Sequence, residues 1–254
     1  VRTGKISKKR RKEIEKKIKE DKKEEQEERE AEKKKYEDQY KINKIYDTFE
    51  EMLSDKSVDM ILNLTNPKSH YEINKKILEA KKHLFSEKPI TLSLEDFDDL
   101  VSISEKNNVK IVSAPANYLT NYCRALKDYL PKIGKLKTVV GMITEKDVPY
   151  HQLKNPLNME WNITDEFNVG CNLEHAGYLL SLLTTLLGNV KHISTQKALS
   201  KFTKEYGGKR YLCSTPDIYR SELMIGDVPV MMINAIAGSH DKSVTFYGED
   251  GTIK

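Results

Sequence analysis

Four short segments of this 254-residue chain hold residue types from which acid–base chemistry is built. They are Thr65, Asn66 and Pro67; Glu87, Lys88 and Pro89; the run Ala114, Pro115, Ala116 and Asn117; and residues 170–178, which read GCNLEHAGY. A lysine ammonium can hydrogen-bond an oxygen and stabilise negative charge developing on it. Glu174 and Tyr178 are four residues apart, so on a helix they share a face. His175 follows Glu174 by one residue and is rotated from it by about 100°. Carboxylate, imidazole and phenol are all groups able to move or hold a proton. No His, Cys, Asp or Glu cluster has metal-ligand spacing, so no metal is expected.

These residues need elements to hold them. Residues 58–65 (VDMILNLT) read as a continuous strand of buried character. Residues 67–80 read as a helix and 83–86 as a short strand. Ser93 caps a helix that runs to about Asn107, and 109–113 form another strand. Strands alternating with helices predict a parallel sheet with crossover helices, and such sheets bind ligands at the carboxyl ends of their strands. That edge is where the first three segments fall. A short strand at 44–46 and a short helix at 48–53, capped by Asp47, precede this region.

From Tyr118 the pattern changes. A helix to about Tyr129, a strand over 137–144, a long loop with Pro149, Pro156 and Trp161, and a helix over 170–187 are expected. Further strands at 190–198, 218–225, 229–237 and 243–247 predict largely antiparallel pairing. The expected fold class is therefore α/β plus α+β. An incomplete Rossmann-like parallel sheet over 1–117 precedes a C-terminal domain with an open, mostly antiparallel sheet over 118–254.

Composition narrows the class. Hydrophobic residues are 38% and charged residues 32% of the chain, and the net charge is +4. Much of the charge lies at 5–40, where acids precede bases by four, as in Glu13 and Lys17, the pattern of an exposed helix. The basic run from Lys8 to Lys12 is balanced by the acids after it, so nucleic acid is not an expected partner. The longest apolar run, 179–187, is interrupted by Ser181, Thr184 and Thr185 and is too short for a hydrocarbon layer of roughly 30 Å. No membrane association is expected. Three dispersed cysteines and no visible leader fit a cytoplasmic setting. The chain starts at Val1 and stops just after a turn-like 248–251, so a fragment of a longer protein is expected.

No Gly-x-Gly-x-x-Gly run occurs, and Gly207 and Gly208 sit in a polar loop, so spacing alone does not predict dinucleotide binding. Residues 58–89 nevertheless resemble the Gfo/Idh/MocA oxidoreductase family. The resemblance lies in a strand ending in Thr65, Asn66 and Pro67, then His70, a helix, and a strand ending in Glu87, Lys88 and Pro89. It extends through the 109–117 segment and the 170–188 helix to the turn at 248–251.

The resemblance implies a nicotinamide cofactor, NAD or NADP, and a small sugar, polyol or related substrate against the C-terminal sheet. Lys88 inherits the family's active-site lysine position. Thr65, Asn66, Pro67, His70, Glu87, Lys88, Pro89, Asn117 and Trp161 become cofactor-binding candidates. Many members carry Asp and, four residues on, His, where this chain has Glu174 and Tyr178. Either Tyr178 takes the histidine's role, or His175 does, or both are core residues. The same fold also admits a non-catalytic binding or regulatory protein, or a scaffold using the charged helix. A homo-oligomer through the C-terminal sheet is expected.

Overall fold

Sequence separation between strand, helix and strand fixes the path of the chain before any side chain packs. The computed structural model describes residues 33–145, 169–206 and 209–254, with positions 16, 17, 23, 27, 30 and 31 upstream. The chain folds as two units, 1–55 and 56–254. The boundary expected at 117 falls within the second unit.

The first unit contains a helix, α1, over 33–40, and α2, Phe49–Ser54. Tyr36 and Tyr40, one turn apart, stack with ring centroids 6.0 Å apart. Lys33 pairs with Glu30 and Asp47, and Lys23 with Glu27 at the four-residue spacing. Two expectations are corrected here. Thr48, not Asp47, caps α2, because its hydroxyl accepts from Glu51 N–H at 3.2 Å. The expected strand at 44–46 is not one. Lys44 and Tyr46 instead bond Asp55 through their side chains, at 2.5 and 2.8 Å.

The second unit opens with a three-stranded parallel sheet in the order β1 (Met60–Asn63), β2 (His83–Ser86), β3 (Ile111–Ser113). Helix α3 (His70–Glu79) crosses from β1 to β2, and α4 (Leu94–Asn107) from β2 to β3. Ser93 caps α4 by accepting from Asp96 N–H at 3.1 Å. Asn108 ends it in the left-handed conformation. Ile61 and Leu84 face α3 and α4, where Ile77, Leu78 and Leu100 are fully buried. The alternate residues Met60, Leu62 and Val112 are exposed, so β1 is not buried on both faces as expected. Among the described residues of this unit, both helices lie on one side of the sheet.

After α5 (Asn121–Tyr129), β4 (Leu136–Glu145) enters a six-stranded sheet. Its other members are β5 (Val190–Ala198), β8 (Ile218–Ile225), β9 (Val228–Ile236), β10 (Asp241–Gly248) and β11 (Thr252–Ile253). The order is β11, β10, β4, β9, β8, β5, with β4 and β9 parallel and every other pair antiparallel. Helix α6 (Cys171–Leu187) covers one face. Leu179, Leu182 and Leu183 pack there on Val139, Ile143, Met232 and Phe246. Gly141 permits the approach, since a Cβ there would lie 3.0 Å from Leu179 Cδ1.

A separate hairpin, β6 (Thr203–Tyr206) with β7 (Lys209–Leu212), replaces the expected polar loop. Its strands lack apolar alternation, and only the Gly-Gly dipeptide signals a hairpin. No described helix is long and apolar enough to cross a membrane.

Candidate active site

The carboxyl ends of β1 and β2 meet through a buried polar network. Asn63, facing inward on β1, donates to Asn74 Oδ1 of α3 at 2.8 Å. Its own Oδ1 accepts from Thr65 N–H at 3.1 Å and Thr65 Oγ1 at 2.7 Å. Asn74 donates onward to Ser86 Oγ at 3.0 Å and to Ile90 O at 3.1 Å. His70 spans the two loops, with Nδ1 2.6 Å from Pro89 O and Nε2 2.9 Å from Thr65 O. Buried amides must find partners, so this network holds the turn carrying Glu87, Lys88 and Pro89 in one conformation.

Helix α6 supplies the opposing wall. Gly170 caps it with φ +83°. The four-residue spacing brings Glu174 and Tyr178 to Lys88 together. Lys88 Nζ donates to Glu174 Oε2 and lies 5.6 Å from the Tyr178 ring centroid. The Glu174 side chain is 3% exposed and that of Lys88 16%, so the pair is largely removed from water. Such a pair needs close geometry to offset desolvation, and breaking it strands a buried charge. The third loop joins α6 as well. Asn117 Nδ2 donates to Tyr178 O at 2.8 Å, and a Cβ on Gly177 would sit 3.4 Å from Pro115 Cδ.

His175 is buried but points elsewhere, with Nε2 4.0 Å from Glu145 Oε2 at the end of β4. The rotation of one helical residue separates it from Glu174, as the 100° step requires. Glu145 Oε1 is 2.7 Å from Lys242 Nζ, whose ammonium lies 6.0 Å from the Tyr178 centroid.

The expected residues therefore divide. Lys88, Glu174, Tyr178 and Asn117 converge, and Thr65, Asn66 and Glu87 stand on the adjoining strand ends. His70 and Pro67, expected to touch a cofactor, are buried. Both His70 nitrogens face backbone carbonyls, so it shapes the loops rather than offering a ligand surface. Trp161 lies outside the described residues. Sequence reasoning missed Asn63, Asn74, Glu145 and Lys242. Asn63 could have been found as a polar residue at an inward strand position, whereas nothing local marks Lys242. No metal-binding group of three or more His, Cys, Asp or Glu occurs among the described residues.

Comparison with known proteins gives the relatives of this fold. Residues 4–114 match the Gfo/Idh/MocA family, described as an oxidoreductase family with an NAD-binding Rossmann fold. An uncharacterized protein of Saccharomyces cerevisiae is 28% identical over 214 residues, which is 83% of this chain and 58% of that protein. The chain thus spans less than two thirds of that relative. Myo-inositol 2-dehydrogenase of Thermotoga maritima is 31% identical over 106 residues, 42% of this chain and 32% of the enzyme. The structure of an NAD binding oxidoreductase from Klebsiella pneumoniae superposes with a TM-score of 0.69 at 16% identity. It matches 87% of this chain and 60% of its own, and shows the shared fold. Over residues 4–114 the chain is thus similar to the Gfo/Idh/MocA oxidoreductase family, whose Rossmann fold is described as NAD-binding.

Proposed function

We propose that this chain carries part of an oxidoreductase that moves a hydride between NAD or NADP and a hydroxyl-bearing carbon of a sugar-like or polyol substrate. The observation that carries the reading is Lys88, held by Glu174 at the carboxyl edge of the parallel sheet and flanked by Tyr178. The edge fits the nicotinamide end of the cofactor. Leu64 is 57% exposed there as an apolar shelf, beside the hydrogen-bonding groups of Thr65, Glu87 and Lys88. The cofactor, when bound, supplies hydride-accepting or hydride-donating chemistry.

The chain's own residues then have defined work. Lys88 donates to the substrate oxygen and stabilises the negative charge that grows as its proton departs. Glu174 keeps the ammonium aimed and charged. The Tyr178 hydroxyl, on the residue flanking Lys88, takes or returns the proton, while His175 supports Glu145. The dehydrogenase activity in the name of the Thermotoga maritima relative supports a polyol as substrate. Absorbance at the reduced-nicotinamide band, with myo-inositol and glucose against NAD and NADP, tests the reading. The absence of both turnover and cofactor binding would sink it and favour a non-catalytic binding protein.

The assembly and its setting follow the same reading. Val140, Met142, Met231 and Ile233 form a half-buried apolar patch on the sheet face away from α6, joined by the registers Val140 to Met231 and Met142 to Ile233. This patch supports self-association through the mixed sheet, and light scattering of a Met231→Lys variant tests it. Buried free thiols at Cys123, Cys171 and Cys213 support a reducing, cytoplasmic setting.

A further inference from the structure

Two ammonium groups, not one, address the Tyr178 ring. Lys88 Nζ lies 5.6 Å and Lys242 Nζ 6.0 Å from its centroid. They are therefore no further apart than these two distances laid end to end. They arrive from different sheets, Lys88 from the turn after β2 and Lys242 from the start of β10.

Each is paired with a buried carboxylate, Lys88 with Glu174 and Lys242 with Glu145. The register that sets Lys242 opposite Ile143 also brings it to Glu145. Along β10 it shares the parity of Val244 and Phe246, so it projects on the α6 face, as Glu145 does along β4 with Val139 and Ile143. The two pairs differ in depth. The Lys88 side chain is 16% exposed and that of Lys242 50%, whereas Glu145 is 5% exposed. The carboxylate is thus sunk behind an ammonium that remains open to solvent beside the ring. An ammonium has three donors, and Glu145 leaves capacity for a bound oxygen.

We infer that Lys242 is a second substrate-contacting residue, binding an oxygen of the substrate remote from the reacting carbon, with Glu145 as its positioning residue. The inference rests on the hydride-transfer reading given above. Each ammonium has a carboxylate beside it, so the cluster discriminates through hydrogen-bond direction rather than net charge. A hydroxyl fits this arrangement, because it can accept from Lys242.

Steady-state kinetics of the intact protein with saturating cofactor and varied myo-inositol or glucose test it. Contact with a remote oxygen is the same in ground and transition states. Lys242→Gln therefore raises KM about tenfold or more while kcat stays within about threefold. Lys242→Arg, which keeps charge and donors, returns KM toward wild type, and Lys88→Gln lowers kcat instead. Lys242→Gln also leaves Glu145 buried without that ammonium, which destabilises the site. The double variant Glu145→Gln/Lys242→Gln removes both charges and carries the same KM prediction. An unchanged KM in the folded single and double variants, with kcat still lost in Lys88→Gln, overturns the inference and leaves hydride transfer standing. A wild-type protein that neither turns over these substrates nor binds NAD or NADP overturns both.

Discussion

Lys88, on the turn after β2, and Glu174, on α6, form a largely buried ion pair between residues 86 positions apart. It ties the turn after β2 in the parallel sheet to the helix that covers the mixed sheet. Removing either partner leaves a charge in a place that water scarcely reaches. Glu174→Ala is expected to cost about 3–5 kcal/mol in urea unfolding. In Lys88→Gln the expected loss is in catalysis, with kcat lower by about 10²-fold or more. Wild-type kcat in Lys88→Gln would contradict its role.

Tyr178 and His175 can be separated by two substitutions. Tyr178→Phe keeps the ring beside Lys88 and Lys242 but removes the hydroxyl, so kcat should fall by about 10²-fold with the fold intact. His175→Gln should leave kcat much closer to wild type, since His175 faces Glu145. A reversed order, read from the rate and its pH profile, would make His175 the proton-transfer group.

Asn74 uses both ends of its amide to hold the loops of β1 and β2. Asn74→Ala deletes those bonds and strands buried partners, at a cost of about 3 kcal/mol. Hydrogen exchange should show faster amides at Glu87 and Lys88, and unchanged protection there would detach Asn74 from the turn.

A buried cluster near the hairpin sets an acid dependence. Burial pushes the Asp217 carboxyl up, but the hydroxyl and N–H of Ser200 and the Lys204 ammonium outweigh it and hold it below the usual carboxylate range. A carboxyl depressed on folding contributes fully above its unfolded value, and the contribution drains away as pH falls through its folded value. The urea midpoint should therefore fall from about pH 5 downward. Asp217→Asn should flatten that slope, and an identical slope would remove Asp217 as its source.

Gly141 marks where α6 lies closest to β4. A valine there meets Leu179, and overpacking of this kind costs about 1–3 kcal/mol. The melting temperature of Gly141→Val should fall, and an unchanged value would mean that Leu179 can turn aside freely.

Much of the frame was legible from local chemistry. Alternating strand and helix signals, the Ser93 cap and the loops after β1, β2 and β3 needed only neighbours in sequence. The hairpin of β6 and β7 was not, because polar strands such as 203–206 and 209–212 lack the alternation that marks a half-buried strand. The strand expected at 44–46 failed for the opposite reason, since its residues found side-chain partners at Asp55 before any neighbouring strand.

The amino-acid order by itself determined that Glu174 and Tyr178 share a helical face and that His175 is turned from it, because the helix has a fixed pitch. It also determined that Lys88 follows a strand at its carboxyl end. Only the tertiary structure decided that this face meets Lys88, that His70 is sealed between two carbonyls, and that Glu145 and Lys242 complete the cluster. Those relationships depend on strand register and on how closely α6 seats over Gly141, which join residues tens of positions apart and leave no periodic trace along the chain.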